Sequence, residues 1–400
     1  MITRRTAFGM LAACAARHRA AAAADTPGVT AAEIKIGNTM SYSGPGSSYG
    51  VIGRLEAAFF KMVNENGGVG GRKINFISYD DGLSPPKTVE AVRRLVEDDG
   101  VAFLFGSLGT STNAGIVDYV NRRRIPHLFL ASPGANWSDY QRYPWTMGTQ
   151  PSARTEAQVL AQYIERERSG ARIAFLYQND DLGKGFVTGL KDAFGDAVKK
   201  RVVMASYEAT DPTVDSQISA LQDSGATVLI VYAIAKFTAL AIRKVYDNGW
   251  RPLFLVGSAT SYSVLKSAGL EKSIGLISAA FVKDPLDPSF RDDPGMQEWR
   301  AFMAKYMPGA DMNDSNYVYA YTACVMLMQV LRQCNGDFSR ENIMHQAESL
   351  HDIALPTLLP GIKVTTGPTE HRPIKSLQMQ RFDGQTWVRF GDVIEGVRET

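Results

Sequence analysis

The chain has 400 residues, 45% hydrophobic and 21% charged, the composition of a globular protein large enough for two lobes rather than one core. Its 43 basic and 41 acidic residues nearly cancel, which gives no electrostatic footprint for nucleic acid. No stretch beyond the N-terminus reaches the ~18 apolar residues that a membrane span requires.

Residues 1–24 stand apart. Arg4-Arg5 is followed by small apolar runs over 7–16 and 20–24, and no acid precedes Asp25. This is the pattern of an export signal, with the arginine pair pointing to the twin-arginine route and Ala22-Ala23-Ala24 offering a cleavage site. A rival reading takes Leu11-Ala12-Ala13-Cys14 as a lipobox acylated at Cys14. Taking the four arginines of this segment (Arg4, Arg5, Arg17, Arg19) from 43 basic residues leaves 39 against 41 acids, a formal charge of −2. Cys324 and Cys334 then remain, ten residues apart in a helical pattern. That spacing separates them by ~15 Å along a helix axis, too far for a disulfide.

The fold begins with a strand at 34–38 and a polar loop, Ser41 to Gly50. A helix follows with Ile52, Leu55, Phe59, Met62 and Val63 at helical spacing, closed by Asn66-Gly67-Gly68. A strand over 73–79 leads through Asp80-Asp81-Gly82 to a second helix bearing Val89, Val92, Leu95 and Val96. The stretch 101–113 reads as a buried strand, a Gly106-Ser107-Leu108-Gly109-Thr110 loop and a helix start, a place where unpaired N–H groups favour an anion. A strand over 126–131 ends in Ser132-Pro133-Gly134-Ala135-Asn136-Trp137. Near Tyr143-Pro144-Trp145 the rhythm restarts: strands at 172–177, 199–206, 226–232 and 252–256, with loops Asn179-Asp180-Asp181-Leu182-Gly183, 232–236 and 257–260. A strand at 275–281, a Pro/Asp-rich passage over 284–294, a long amphipathic region over 296–331, and two strands joined at Asp383-Gly384 complete the chain.

Repeated strand–loop–helix units with near-continuous apolar strands predict α/β lobes with parallel sheets covered by helices. Ligands of such sheets bind beyond the carboxyl ends of the strands. Facing lobes therefore place six loops on one cleft. Catalysis and metal binding find no support in the residues. There is no His-Glu-x-x-His, Cys-x-x-Cys or Gly-x-Ser-x-Gly spacing among the five histidines and the cysteines, and no cofactor is expected. Gly183-x-Gly185-x-x-x-Gly189 departs from a dinucleotide fingerprint by one residue, and Asp180 and Asp181 would repel a pyrophosphate.

Several motifs occur together in one order: Gly44-Pro45 with Tyr49-Gly50, Asn66-Gly-Gly-Val-Gly-Gly-Arg72, Gly106-Ser-Leu-Gly-Thr110, Pro144-Trp-Thr-Met-Gly148, Asn179-Asp-Asp-Leu-Gly183, Asp211-Pro-Thr-Val-Asp-Ser-Gln217 and Leu359-Pro-Gly-Ile-Lys-Val364. With them the sequence resembles the periplasmic branched-chain amino acid-binding (Leu/Ile/Val-type) solute-binding proteins of ABC transporters, within a subgroup that includes binders of aromatic acids. The resemblance implies a type I periplasmic-binding fold of two doubly wound parallel-sheet lobes joined by three hinge crossings. Those crossings are expected near 144–148, 275–281 and 358–363. One lobe would comprise 33–145 plus 282–357, the other 146–281 plus 358–400. It implies a periplasmic location, no enzymatic activity, a monomer, and delivery of a small-molecule ligand to an ABC permease and ATPase complex.

Carried over, the resemblance assigns the ligand carboxylate to Ser107, Leu108, Gly109, Thr110, Ala131, Ser132 and Pro133, with Tyr49 from the first loop. The second-lobe candidates are Asp181, Leu182, Tyr232, Ala235 and Ala259. Leu182 stands where the family commonly has a tyrosine, and Ala259 where an acid pairs with the ligand ammonium. Burying an ammonium without a counter-charge costs several kcal/mol. An apolar or aromatic carboxylate is therefore expected, with Trp137, Tyr232 and Phe237 as candidates to stack on a ring and Lys236 and Arg154 as candidate anion partners. The alternatives are an amino acid with Asp180 or Asp181 as counter-charge, and a ligand-sensing role in signalling.

Overall fold

The computed structural model describes residues 26–397, so the export signal and Cys14 lie outside the described residues. Two separate sheets form. The first is made of β1 (Glu33–Met40), β2 (Lys73–Asp80), β3 (Phe103–Phe105), β4 (His127–Leu130) and β5 (Thr146–Gly148), all parallel, in the order β2-β1-β3-β4-β5. The second is made of β6 (Ile173–Gln178), β7 (Val202–Tyr207), β8 (Val228–Tyr232), β9 (Leu253–Val256), β10 (Ile277–Ala280), β11 (Ser376–Phe382) and β12 (Trp387–Glu395). Its order is β12-β11-β10-β9-β8-β6-β7, with only β11 and β12 antiparallel to their neighbours.

Both lobes repeat one strand order, so each has a switch point where consecutive connections leave to opposite sides. In the first sheet it lies between β1 and β3, in the second between β6 and β8. Crevices for ligands form at such points. The central strands are buried throughout: Phe103, Leu104 and Phe105 in one lobe, Val228 to Val231 in the other. This explains their unbroken apolar runs.

Two features add detail to the expected layout. Thr146–Gly148 pairs with β4 and so continues the first sheet past residue 145, because its backbone finds a free edge there before the chain crosses. The amphipathic region over 296–331 is two helices, Pro294–Tyr306 and Ser315–Gln333, the first capped by Asp293 and the second by Asp314. Phe59 of the Gly50–Glu65 helix touches Phe302 and Tyr321 from these two helices, with ring centroids 5.8 and 5.3 Å apart. This packing returns the chain to the first lobe. Cys324 and Cys334 are buried free thiols.

The chain crosses between lobes three times. After Gly148 it enters the Ala153–Glu167 helix. The second and third crossings run side by side: Lys283 N–H donates to the Thr357 carbonyl and Leu359 N–H to the Phe281 carbonyl, each at 2.9 Å. The Lys283 ammonium secures the pair, donating to Asp293 Oδ1 and the Pro356 carbonyl, both at 2.7 Å.

Candidate functional site

The two switch points face each other across a cavity of about 130 Å³. From the first lobe come Tyr49, Ile52, Leu83, Leu108, Gly109, Thr110, Ala131 and Pro133; from the second come Gln178, Asp180, Leu182, Tyr232, Gly257, Ser258 and Ala259. Phe281 from a crossing and Ser315, Asn316 and Tyr319 from the returning helix complete the wall. The lining is predominantly apolar, with polar groups contributed by both lobes and by the returning helix.

At the first-lobe end, the β3 loop turns through Gly109 at φ +95°, a conformation that suits glycine, and Thr110 begins a helix. Thr110 Oγ1 lies 2.8 Å from Ser132 Oγ. The Leu108 and Gly109 N–H groups are already spent on the Thr39 and Ala131 carbonyls. The amides expected to bind carboxylate at those two positions therefore hold the loop instead, and both residues meet the cavity as non-polar surface. Ser107 is also displaced from the expected role. Its carbonyl accepts from Ala131 N–H and Asn113 Nδ2, and its side chain is fully buried behind the cavity wall. Ser132 is buried too and reaches the cavity only through Thr110.

The second-lobe end holds a buried acid that sequence reasoning missed. Glu156, on the Ala153–Glu167 helix, is 1% exposed. Its carboxylate accepts from Ser258 N–H at 2.5 Å, Ser258 Oγ at 3.0 Å and the Tyr232 hydroxyl at 3.1 Å. Burial pushes its pKa up to about 7, against the opposing pull of these three donors. Glu156 thus fixes Tyr232 and Ser258, which face the cavity, without facing it itself. The only sequence signal was an acid at an apolar-patterned helix position.

Of the adjacent acids, Asp180 lines the cavity and Asp181 does not. Asp180 caps the Asp181–Phe194 helix, accepting from Leu182 N–H at 3.0 Å, Gly183 N–H at 3.3 Å and Gln178 Nε2 at 2.6 Å. Burial raises its pKa although these bonds oppose the shift. Asp181 sits in a separate outer groove and accepts from Asn136 Nδ2 at 3.2 Å across the lobes. The first turn of the helix points it away from the cavity.

Four further candidates also lie elsewhere. Trp137 is 2% exposed, packed with Val117, Leu130 and Tyr143. Phe237 is buried against Tyr207 with centroids 4.2 Å apart, and Lys236 bonds the Asp211 carbonyl at 3.0 Å. Arg154 pairs with Asp192. Tyr232 remains at the wall, its ring held 4.4 Å from that of Phe186.

The lobes are closed on each other. Ala235 N–H donates to the Tyr49 hydroxyl at 3.0 Å, so Ala235 meets the first lobe through its backbone. Burial raises the Tyr49 pKa to about 12, which keeps the hydroxyl proton in place as a donor. Among the described residues no group of three or more His, Cys, Asp or Glu is arranged to hold a metal ion, and no helix is long and apolar enough to cross a membrane.

The periplasmic binding protein family model matches residues 33–386. Leu/Ile/Val-binding protein homolog 7 of Brucella abortus (strain 2308) is 24% identical over 324 residues, covering 76% of this chain and 78% of that protein. Homolog 1 of the same strain is 25% identical over 316 residues, covering 78% and 81%. Among solved structures, a branched-chain amino acid ABC transporter protein from Thermus thermophilus with bound valine superposes with a TM-score of 0.80 at 17% identity, covering 91% of this chain and 97% of that one. A fatty acid ABC transporter substrate-binding protein from Thermomonospora curvata superposes with a TM-score of 0.76 at 18% identity, covering 92% and 94%.

Proposed function

The chain belongs to the periplasmic binding protein family, and from that premise we propose that it is the extracytoplasmic substrate-binding component of an ABC importer, carrying a small apolar or aromatic carboxylate to a permease and its ATPase. The observation that carries this reading is the polarity of the cavity. A hydroxyl, Thr110, stands on the first-lobe wall, and the second-lobe wall presents Leu182, Ala259 and the Tyr232 ring beside Gln178, Asp180 and Ser258. The carboxylate would accept from Thr110 and from the Tyr49 hydroxyl, and the apolar end would lie against that wall. The cavity of about 130 Å³ suits a compact ligand; a dry cavity of ~150 Å³ accommodates benzene.

A second reading has one observation in its favour. Asp180 lines the second-lobe wall, where it can meet an α-ammonium and admit a branched-chain amino acid. Its oxygens already accept three hydrogen bonds, which leaves it a weaker partner than an uncommitted acid.

A thermal-shift screen separates the two, since a ligand that binds only the folded form raises the melting temperature. Benzoate and isovalerate are expected to stabilise the protein at concentrations where leucine and valine do not. Stabilisation by leucine or valine alone would make Asp180 the counter-charge and the ligand an amino acid.

A further inference from the structure

The hydrogen bonds around Ser132 determine more than its position. A serine hydroxyl has one proton to give and two lone pairs to fill. Trp137 Nε1–H donates to Ser132 Oγ at 2.8 Å and Gly134 N–H donates at 3.2 Å. Both are donors only, so together they occupy both lone pairs. The third neighbour is Thr110 Oγ1 at 2.8 Å. Ser132 can satisfy that contact only by giving its proton, and Thr110 Oγ1 must accept it. The proton of Thr110 is then turned away from Ser132, and Thr110 lines the cavity.

We infer that Trp137 and Ser132 are positioning residues: their hydrogen-bond chain orients the Thr110 hydroxyl so that it meets the ligand as a donor. This rests on the carboxylate reading above and deepens it. A group facing Thr110 must accept, so a carboxylate or carbonyl oxygen is admitted there while an ammonium is turned to the other end. The chain is cooperative, because a hydroxyl that accepts a bond gives a stronger one. Gly134 makes the approach of the indole feasible: a Cβ there would lie 2.6 Å from Trp137 Nε1 and 3.0 Å from Thr110 Cγ2. Trp137 is buried among Val117, Leu130 and Tyr143, which hold the ring in the orientation that aims Nε1 at Ser132.

Two experiments test this. Neutron diffraction from the deuterated, ligand-free protein reads the hydroxyl deuterons directly. The Ser132 deuteron is expected on the line to Thr110 Oγ1; a Thr110 deuteron pointing at Ser132 Oγ would overturn the inference, whatever the ligand proves to be. The second is a double-mutant cycle with Trp137→Phe and Thr110→Val, titrated calorimetrically with benzoate, isovalerate and L-leucine. Trp137→Phe is expected to weaken the acid that binds by about five- to tenfold in the parent protein, and by less than about twofold when Thr110 is already valine. Equal losses in both backgrounds would reduce Trp137 to a packing residue and overturn the inference. Binding of none of the three acids would remove the carboxylate reading, and the deuteron positions would still decide the hydroxyl direction.

Discussion

Glu156 illustrates how one buried side chain links the cleft to pH. Its pKa, about 7 in the folded protein against 4.5 for the ordinary carboxyl, is raised by burial. A raised acid keeps its proton in the fold where the unfolded chain has lost it. Its stabilising effect is complete below pH about 4.5 and is lost as pH rises through about 7. Over that window the loss is of the order of 3 kcal/mol at most. Glu156→Gln keeps the shape and removes the titration. The variant is expected to show a melting temperature with a shallower fall between pH 5 and 8 than the parent, read by calorimetry across that range. Parallel curves would mean that Glu156 stays charged in the fold. The contrast with Leu182 and Ala259 is instructive: their types and places in the loops were legible in the sequence, and both line the cavity. Glu156 was not, because its role depends on Tyr232 and Ser258, 76 and 102 residues away in the chain.

At the scale of elements, the Asp181–Phe194 helix shows why two adjacent acids end on different surfaces. Asp180 precedes the helix and folds its carboxylate back onto Leu182 and Gly183, which keeps it at the cavity; Asp181 belongs to the first turn and faces outward. Capping preference alone would have separated the two acids. Asp180→Ala is expected to cost about 1 kcal/mol of stability and Asp180→Asn only a few tenths, measured by urea unfolding. The asparagine variant also separates the ligand classes. It should leave binding of an apolar acid intact and weaken an amino acid severalfold. The glycines of the same helix serve packing rather than nucleotide binding. A Cβ on Gly189 would fall 2.3 Å from the Arg154 carbonyl and 2.7 Å from Ala157 Cβ, so the helix sits close against its neighbour only because the side chain is absent. Strand cores and their loops were readable from periodicity and turn residues. Phe281, Asn316 and Tyr319 were not, since they reach the cavity from a crossing and a returning helix with no local motif to mark them.

For the molecule as a whole, affinity depends on closure as well as on contacts. The Ala235 N–H to Tyr49 hydroxyl bond at 3.0 Å joins the lobes beside the cavity. Tyr49→Phe removes the acceptor and leaves the Ala235 amide without it in the closed form. Ligand dissociation measured by stopped flow is expected to accelerate at least about fivefold, with little change in the association rate, because the Ala235 bond and the proposed bond from the Tyr49 hydroxyl to the ligand carboxylate are both lost from the closed state, each worth about 1 kcal/mol. An unchanged dissociation rate would mean that the bond does not hold the lobes together. The two-lobed α/β organisation was accessible from the order of strands. The closed arrangement was not, because contacts such as Asn136 with Asp181 at 3.2 Å join segments whose proximity no sequence pattern records.

The side-by-side crossings at Lys283 and Thr357, tied by backbone bonds and by the lysine, have a mechanical consequence. A double strand of this kind bends across its flat face far more readily than it shears along its length or lets one ply slide past the other. The lobes accordingly have one soft coordinate and several stiff ones. Closure along that one coordinate would bring Thr110 and Leu182 to the same alignment every time. Under the proposed binding role, selection by size would require no rigid pore, since a jaw that cannot shift sideways would disfavour a ligand one carbon too long by about 1–3 kcal/mol.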